Sequence, residues 1–420
     1  MPNPMPNMKK KNQTWLPGAA VLCMTLAMTA NAAQAADPGL DAFLDQLLSS
    51  NESATYARLA TIQVPGKPLA AFDISFVDPN RGLYYLADRS NASLDIIDTR
   101  TNTVIAQVGG FTGVQNDPAT GKPSNDFSGP DGVQAVGANE VWVGDGNSTV
   151  KVLDIESQTI VATISTALDG QAADQAKRAD EMAYDPRDQI LVVANNAATP
   201  PYITLISTQP DDRRVLGHVV YDDSMGVEAS VYDPANGLIY INLTQLGADP
   251  NSGAVSVVDP RQIKEVGRFP ITGCNGAGLV LGPRQQLLIG CSLTNNSQVI
   301  SARDGTLLAE IPQVSGSDEI WYNPGDGNYY LAARNNPTTA GGPSLGVIDA
   351  FTNKFVANVP TDISAHSVAA DSKTNHVFVP FGPVAGDPAC SAGCIAVYAG
   401  QEHESTTERN LETFVADLVQ

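Results

Sequence analysis

The chain has 420 residues, with 45 Asp and Glu residues against 24 Lys and Arg residues, and a formal net charge of −21. Nucleic acids and anionic membranes are disfavoured as partners, because both carry charge of the same sign. After the first 35 residues, no apolar run approaches the ~20 residues that a membrane-spanning helix needs, so membrane insertion is not expected.

The first residues have the pattern of an export signal. Lys9 to Lys11 form a basic start, and an apolar run and small residues lead to a cleavage point after Ala35. Cleavage would remove three lysines and no acids, which leaves 21 basic against 45 acidic residues and a net charge near −24. Residues 1–35 are therefore predicted to be a signal peptide, and the mature protein is expected to be periplasmic or secreted.

The next segment contains "PGLDAFLDQLLSS", which has the pattern of a short amphipathic helix, so residues 36–54 are predicted to form a helical lead-in. Residues 55–400 lack helical periodicity. They contain short β-rich runs separated by Gly, Pro, Asn and Asp, which indicates many short antiparallel strands. Residues 401–420 are predicted to form a C-terminal tail.

The β-rich region repeats itself with a period near 48 residues. The first unit, "AFDISFVDPNRGLYYLADRSNASLDIIDTRTNTVIAQV", contains four predicted strands, which is the content of one propeller blade. Seven units align. The seventh ends after its third strand, "CIAVYAG", while an extra strand, "TYARLATIQV", precedes the first unit. The prediction is an all-β, monomeric, seven-bladed β-propeller of four-stranded blades, with the ring closed by the N-terminal strand.

Two repeats, "STVKVLDIESQTIVATI" and "LDIIDTRTNTVIAQV", resemble YVTN-type repeat propellers, and the resemblance extends over residues 55–400. The segments "GPDG", "RADE", "GCNG", "GSDEIWYNPGDGNYYLAARNN" and "AHSVA" resemble bacterial secreted propellers often labelled gluconolactonase-like. That resemblance implies a hydrolase that uses a divalent metal to cleave a lactone or an ester.

One position in each repeat begins the first strand, and the first strand of a propeller blade lines the central channel. These seven ring positions are Asp73, Asp131, Asp180, Glu228, Ala277, Asp318 and His366. The neighbours Glu181, Glu319 and Asn275 are expected on the same face, together with the second-strand exits Asp88, Asp145, Asn195, Asn196, Arg334 and Asn335. Four acids at third-strand exits are instead predicted to stabilise turns on the opposite face: Asp98, Asp154, Asp259 and Asp349.

Two carboxylates ~6 Å apart repel by roughly 3 kcal/mol at an effective dielectric constant near 20, so a ring of acids needs protons or a cation. An oxygen-rich set favours Ca²⁺, with Zn²⁺ or Mn²⁺ possible beside an imidazole. The predicted metal ligands are Asp131, Asp180, Glu228, Asn275 and Asp318. The alternative is that such acids only tie neighbouring blades together through backbone N–H groups in a hydrated channel.

His366 is the predicted general base, which would take the proton of an attacking water. The predicted substrate-binding residues are Asp73, Glu181, Glu319, Arg334 and Asn195. An insertion at residues 109–130 is either a lid, with Phe111 and Phe127 over a ligand, or a mobile loop.

Two classes of function follow. The first is a metal-dependent lactonase-like or esterase-like hydrolase, or a lyase, acting on a small molecule. The second is a non-catalytic propeller that binds a periplasmic protein or a carbohydrate. The sequence contains no HExxH, P-loop or CxxCH motif.

Four cysteines follow the signal peptide. Cys274 and Cys291 bracket the first and second strands of the fifth repeat at one end, so antiparallel pairing predicts a disulfide between them. Cys390 and Cys394 are predicted to close a small loop in the seventh repeat.

Overall fold

The computed structural model describes residues 55–171, 176–293 and 296–400. In this part of the chain, 28 strands form seven antiparallel four-stranded sheets, the blades of a seven-bladed β-propeller. The predicted fold class is therefore confirmed. The predicted signal peptide, helical lead-in and C-terminal tail lie outside the described residues.

Blades 1 to 6 each use four consecutive strands, with the first strand nearest the channel. Blade 1 contains β2 (Ser75–Asp78), β3 (Leu83–Asp88), β4 (Ser93–Asp98) and β5 (Thr103–Gly109). Blade 2 contains β6 (Val133–Val136), β7 (Glu140–Asp145), β8 (Thr149–Asp154) and β9 (Thr159–Ser165). Blade 3 contains β10 (Met182–Asp185), β11 (Ile190–Asn195), β12 (Tyr202–Ser207) and β13 (Arg214–Val220).

The same order continues through the next three blades. Blade 4 contains β14 (Val227–Asp233), β15 (Leu238–Leu243), β16 (Ser252–Asp259) and β17 (Lys264–Thr272). Blade 5 contains β18 (Gly276–Gly282), β19 (Gln286–Cys291), β20 (Ser297–Ser301) and β21 (Leu307–Ile311). Blade 6 contains β22 (Ile320–Asn323), β23 (Asn328–Ala333), β24 (Ser344–Asp349) and β25 (Lys354–Pro360).

Blade 7 joins the two ends of the β-region. It contains β26 (Ala369–Asp371), β27 (His376–Phe381), β28 (Cys394–Gly400) and, as its outermost strand, β1 (Tyr56–Ile62). Strand β1 runs antiparallel to β28, with Tyr56 opposite Gly400 and Ile62 opposite Ile395. The N-terminal strand completes the last blade, as the sequence predicts.

The hydrophobic core lies between the blades. Every residue of β11, "ILVVAN", is buried, because neighbouring blades cover both faces of a second strand. The outermost strand β9, "TIVATIS", instead alternates between exposed and half-buried residues. The blades therefore pack through their middle strands, and polar side chains on the first strands remain available to the channel.

Where the structure describes the chain, three short 3-10 helices lie in the loops, at Asn125–Phe127, Thr338–Ala340 and Pro388–Cys390. Both predicted disulfides are present, and each joins Cα atoms 5.0 Å apart: Cys274 with Cys291, and Cys390 with Cys394. In the described ranges, no helix is long and apolar enough to cross a membrane.

Candidate functional site

A β-bulge explains why adjacent acids can face the channel together. The Asp180 N–H donates to the Ala194 carbonyl at 2.7 Å, and the Ala194 N–H donates to the Glu181 carbonyl at 2.9 Å. Two residues of the inner segment thus oppose one residue of β11, which breaks the usual alternation of side chains. Both Asp180 and Glu181 consequently line the channel.

The same irregularity recurs around the ring. Asp73, Asp131 and Asp318 each donate a backbone N–H to the second strand of their blade, to Ala87, Gly144 and Ala332 respectively. In β14 and β18 the register shifts by one residue at the corresponding place. The alignment of ring positions by spacing therefore matches an equivalent backbone feature in six blades.

A cavity of about 320 Å³, here called the polar cavity, opens at this end of the channel. Six of the seven ring positions line it: Asp73, Asp180, Glu228, Ala277, Asp318 and His366. Glu181, Glu319, Asn275, Arg334 and Asn335 also line it, together with Asn125, Arg178, Thr244 and Ser292. Two predicted site residues do not line it, Asp131 and Asn195.

Asn195 belongs to the interior of its blade. Its amide donates to Thr166 at 2.9 Å and accepts from Thr204 at 2.8 Å. Asp88 and Asp145 also turn away from the cavity. Among their partners are Asn91 and Lys151 respectively, each at 2.6 Å.

Arg89 is a buried cation that sequence reasoning missed. It follows β3, is 2% exposed, and pairs with both Asp73 and Asp131. Its Nε donates to Asp131 Oδ1 at 2.9 Å, while Asp131 Oδ2 has no hydrogen-bond partner among the described residues. Asp131 therefore anchors Arg89 beneath the polar cavity.

Arg178 is the second cation that the sequence interpretation did not include. Its Nε lies 3.0 Å from Asp180, and its Nη1 lies 3.4 Å from Asp73. Nε also donates to Asn196 Oδ1 at 3.1 Å. The residue precedes the bulge of blade 3, so its guanidinium reaches across the cavity wall toward blade 1.

The remaining polar groups are held less tightly. Arg334 pairs with Asp318 at 2.8 Å, with both side chains partly exposed. Asn196 donates to Glu228 at 3.4 Å. Asn275 has its own partners, since its amide donates to the Pro250 carbonyl at 3.0 Å and accepts from Ser292 at 3.0 Å.

Burial and charge set the protonation of the acids. Burial raises the pKa of Asp180 to about 6, although Arg178 opposes the shift. Burial and the charge of Asp180 raise the pKa of Glu228 to about 8. Burial acts on Asp73 as well, but its ion pair with Arg89 helps to hold its pKa well below the usual range. The ring therefore contains both ionised and protonated carboxyl groups near neutral pH.

Glu181 and Glu319 form a carboxyl pair at the inner end of the polar cavity. Burial, followed by the neighbouring charge of Glu319, raises the pKa of Glu181 well above its usual range. Burial also raises the pKa of Glu319. One of the two acids therefore holds a proton near neutral pH and can hydrogen-bond the other.

His366 faces the cavity with a defined ring orientation. Its ring stacks on Phe72 with centroids 4.6 Å apart, and its Nδ1 lies 2.8 Å from the Ser364 carbonyl oxygen. Nδ1 therefore carries a proton and donates to that carbonyl. Nε2 lies 3.5 Å from Asp73 Oδ1 and is the nitrogen available to the cavity.

Guanidinium groups lie against most of the predicted metal ligands. Among the described residues, no group of three or more His, Cys, Asp or Glu side chains could hold a metal ion. Guanidinium groups contact three of the five predicted ligands, Asp131, Asp180 and Asp318. Glu228 and Asn275 are the other two, and Ca²⁺, Zn²⁺ or Mn²⁺ binding stays a prediction.

The insertion after blade 1 reaches the polar cavity through Asn125. Phe111 is instead buried in the core between blades 1 and 2, and neither Phe111 nor Phe127 is among the residues lining the cavity. The Nζ atoms of Lys151 and Lys177 lie over these two rings, 5.0 and 5.9 Å from their centroids. The two aromatic rings thus contact residues outside the insertion and do not cover the polar cavity.

The third-strand acids stabilise turns, as predicted. Asp98 accepts backbone hydrogen bonds from Arg100 and Thr101, at 3.0 and 2.7 Å. Equivalent bonds to backbone N–H groups one turn ahead are made by Asp154, Asp259 and Asp349.

No family model matches the chain, and no curated protein matches it. Solved structures do show the same fold. A chain in the crystal structure of a mitotic checkpoint complex has a TM-score of 0.58 at 13% identity, covering 89% of this chain and 98% of that chain. A hydrazine synthase chain from Kuenenia stuttgartiensis has a TM-score of 0.59 at 14% identity, covering 76% of this chain and 94% of that chain. At these identities the similarity extends to the propeller fold alone.

Proposed function

We propose that the protein is an extracytoplasmic ligand-binding propeller whose polar cavity holds a small cationic ligand. The supporting observation is a charge imbalance at the ring. Seven carboxyl groups lie in or directly beneath the cavity: Asp73, Asp131, Asp180, Glu181, Glu228, Asp318 and Glu319. Three guanidinium groups accompany them, those of Arg89, Arg178 and Arg334.

This imbalance favours a cation over an anion or a neutral ligand. The carboxyl groups outnumber the guanidinium groups by four, and burial, followed by the charges of Asp180 and Asp318, raises the pKa of Glu228. A bound cation would relieve that repulsion and allow those groups to ionise. Two disulfides fit an oxidising compartment outside the cytosol, where such a propeller would meet its ligand.

Calorimetric titration with spermidine, putrescine and divalent metal salts tests the proposal. A cation held by the ring should bind more weakly at higher ionic strength. Glu228→Gln should weaken binding by about tenfold, because it removes a carboxylate partner of nearly the same shape. Asp304→Asn is the matched control, since Asp304 is an exposed turn acid that does not line the cavity.

The proposal fails if none of these cations binds, or if Glu228→Gln and Asp304→Asn bind them equally well. Binding of a metal salt but of neither polyamine would support the metal site that the sequence predicts.

Hydrolysis of a lactone or ester is a second candidate, and the orientation of His366 favours it. With Nδ1 bonded to a carbonyl, Nε2 of the neutral ring can accept the proton of a water in the cavity. Arg334, half-buried at the cavity wall, could hold an anionic substrate group. This role would agree with the resemblance to gluconolactonase-like propellers.

A screen of lactones and esters, with metal removal and add-back, tests this second role. His366→Ala should abolish turnover, whereas His376→Ala should preserve it, because the His376 ring bonds Thr99 at 3.1 Å and does not line the cavity. Equal loss in both variants would argue against a catalytic His366.

A further inference from the structure

A second cavity of about 430 Å³, here called the apolar cavity, continues along the same channel. Its walls are formed by the first strands of the blades, with Val133, Met182, Val231, Leu279 and Ile320 among the lining residues. Only three residues line both cavities: Ile74, Glu181 and Glu319. The carboxyl pair therefore lies at the boundary between a polar and an apolar compartment.

Aromatic side chains surround the opposite end of the apolar cavity. Tyr184 and Tyr232 stand late in their strands, Phe76 and Trp321 are the second residues of theirs, and Pro186 and Pro234 of the following turns line the cavity as well. Phe76 and Trp321 meet edge to face, with ring centroids 5.3 Å apart. A ligand entering from this mouth would pass aromatic rings before it reached the acids.

The inner end of this cavity contains an unsatisfied acceptor. Glu181 is 6% exposed, and its Oε2 has no hydrogen-bond partner among the described residues. In the same part of the chain, neither Glu181 nor Glu319 forms an ion pair, since the nearby arginines pair with aspartates. Apart from the proton that the two acids share, no group among the described residues donates to this oxygen, and such a pair favours further donors supplied by a ligand.

The chemistry of such a ligand follows from the two ends of the cavity. An ammonium group has three donors and no acceptor, so it can bond both carboxyl groups at once. The apolar walls and the aromatic mouth favour a hydrocarbon or aryl body. The volume falls within the range usual for small-molecule sites.

We propose that the apolar cavity binds a primary ammonium compound with an apolar body. The ammonium would lie against Glu181 and Glu319, and the body would lie between Trp321 and the walls. This inference shares Glu181 and Glu319 with the function proposed for the polar cavity, but it needs only these two acids and the apolar walls.

Titration with 2-phenylethylammonium tests the proposal, with three matched probes of similar or smaller size. The probe 2-phenylethanol lacks the charge, 3-phenylpropanoate reverses it, and ethylammonium lacks the aryl body. We expect one 2-phenylethylammonium to bind per chain and to change the fluorescence of Trp321. Each of the other probes should bind at least about tenfold more weakly.

Two isosteric variants locate the site. Glu181→Gln should weaken 2-phenylethylammonium binding by at least about tenfold, because an amide provides a weaker and uncharged acceptor. Asp304→Asn, which changes an exposed acid that lines neither cavity, should leave it within about twofold. Trp321→Phe should remove the fluorescence response but retain binding in the calorimeter, and circular dichroism checks the fold of each variant.

Three results would overturn the proposal: no binding of 2-phenylethylammonium at millimolar concentration, equal binding of 2-phenylethanol, or loss of binding in Glu228→Gln but not in Glu181→Gln. The last result would place the ammonium in the polar cavity and so support only the function proposed there.

Discussion

Replacing Arg89 by Met should destabilise the propeller strongly. Arg89 supplies every hydrogen bond that the Asp131 carboxylate accepts among the described residues, and Asp131 is fully buried. Asp73 would lose less stabilisation, because Arg178 and His366 remain beside it at 3.4 and 3.5 Å. The main cost is therefore at Asp131, which loses its hydrogen bonds from Arg89 and, because burial already raises its pKa well above the usual range, takes up a proton.

Removal of one partner from a buried ion pair typically costs about 3 to 5 kcal/mol, and the raised pKa of Asp131, which allows it to become neutral, places this site at the lower part of that range. Removal of both charges is often close to neutral. The double variant Arg89→Met/Asp131→Asn should therefore recover at least half of the loss. Arg100→Met is the control, since the Arg100 side chain is 81% exposed.

Urea denaturation followed by circular dichroism measures these differences, provided that the slope of the transition stays the same. The reasoning would be refuted by a loss below about 1 kcal/mol for Arg89→Met, a value usual for surface pairs. It would also be refuted if the double variant were no more stable than the single one.

Three further changes have expected outcomes. Glu228→Gln should raise the stability of the protein above about pH 8. The folded-state pKa of Glu228, about 8, exceeds its unfolded value, so the parent protein loses stability as the pH rises between these two values. An equal pH profile of stability in both proteins would contradict this. Asp95→Asn should also raise stability at high pH, since burial and Asp88 raise the pKa of Asp95 to about 8. Denaturation at about pH 5 and 9 measures the stability difference between variant and parent, which should be larger at the higher pH. Replacing Cys274 and Cys291 by Ala should lower the free energy of unfolding by about 3 kcal/mol, the value expected for a sequence separation of 17. Urea denaturation measures this loss, and an unchanged midpoint would show that the disulfide adds no stability.

The sequence was sufficient to predict the blades and the ring. Repeat spacing located the bulged positions, because each repeat places its first strand at the same distance from the axis. It could not show that Arg89 and Arg178 each join acids of two blades, since the contacts of Arg89 with Asp131 and of Arg178 with Asp73 cross from one blade to another. The sequence did contain one indication that Arg89 faces the ring, because Arg89 stands one residue after β3, as Arg334 stands one residue after β23.

The alternation of side chains along a strand explains why some residues expected on the channel face do not lie there. Asp88, Asp145 and Asn195 are the last residues of second strands, and their side chains lie within or between blades. The residue after them turns toward the channel, as Arg89 and Asn196 show. A shift of one residue changes the face on which a side chain lies, so spacing alone cannot assign the face at a strand end.

The pairing of β1 with β28 has a consequence for how the chain assembles during synthesis. Six blades use neighbouring segments and can form as each segment emerges, whereas β1 must wait for a partner that lies more than 300 residues away. Until then the ring is an open arc, with one unpaired edge at β1 and an incomplete seventh sheet. Closure is therefore the step most exposed to competition from another chain, and the seam at blade 7 is where a circular permutation would test whether that order of events matters.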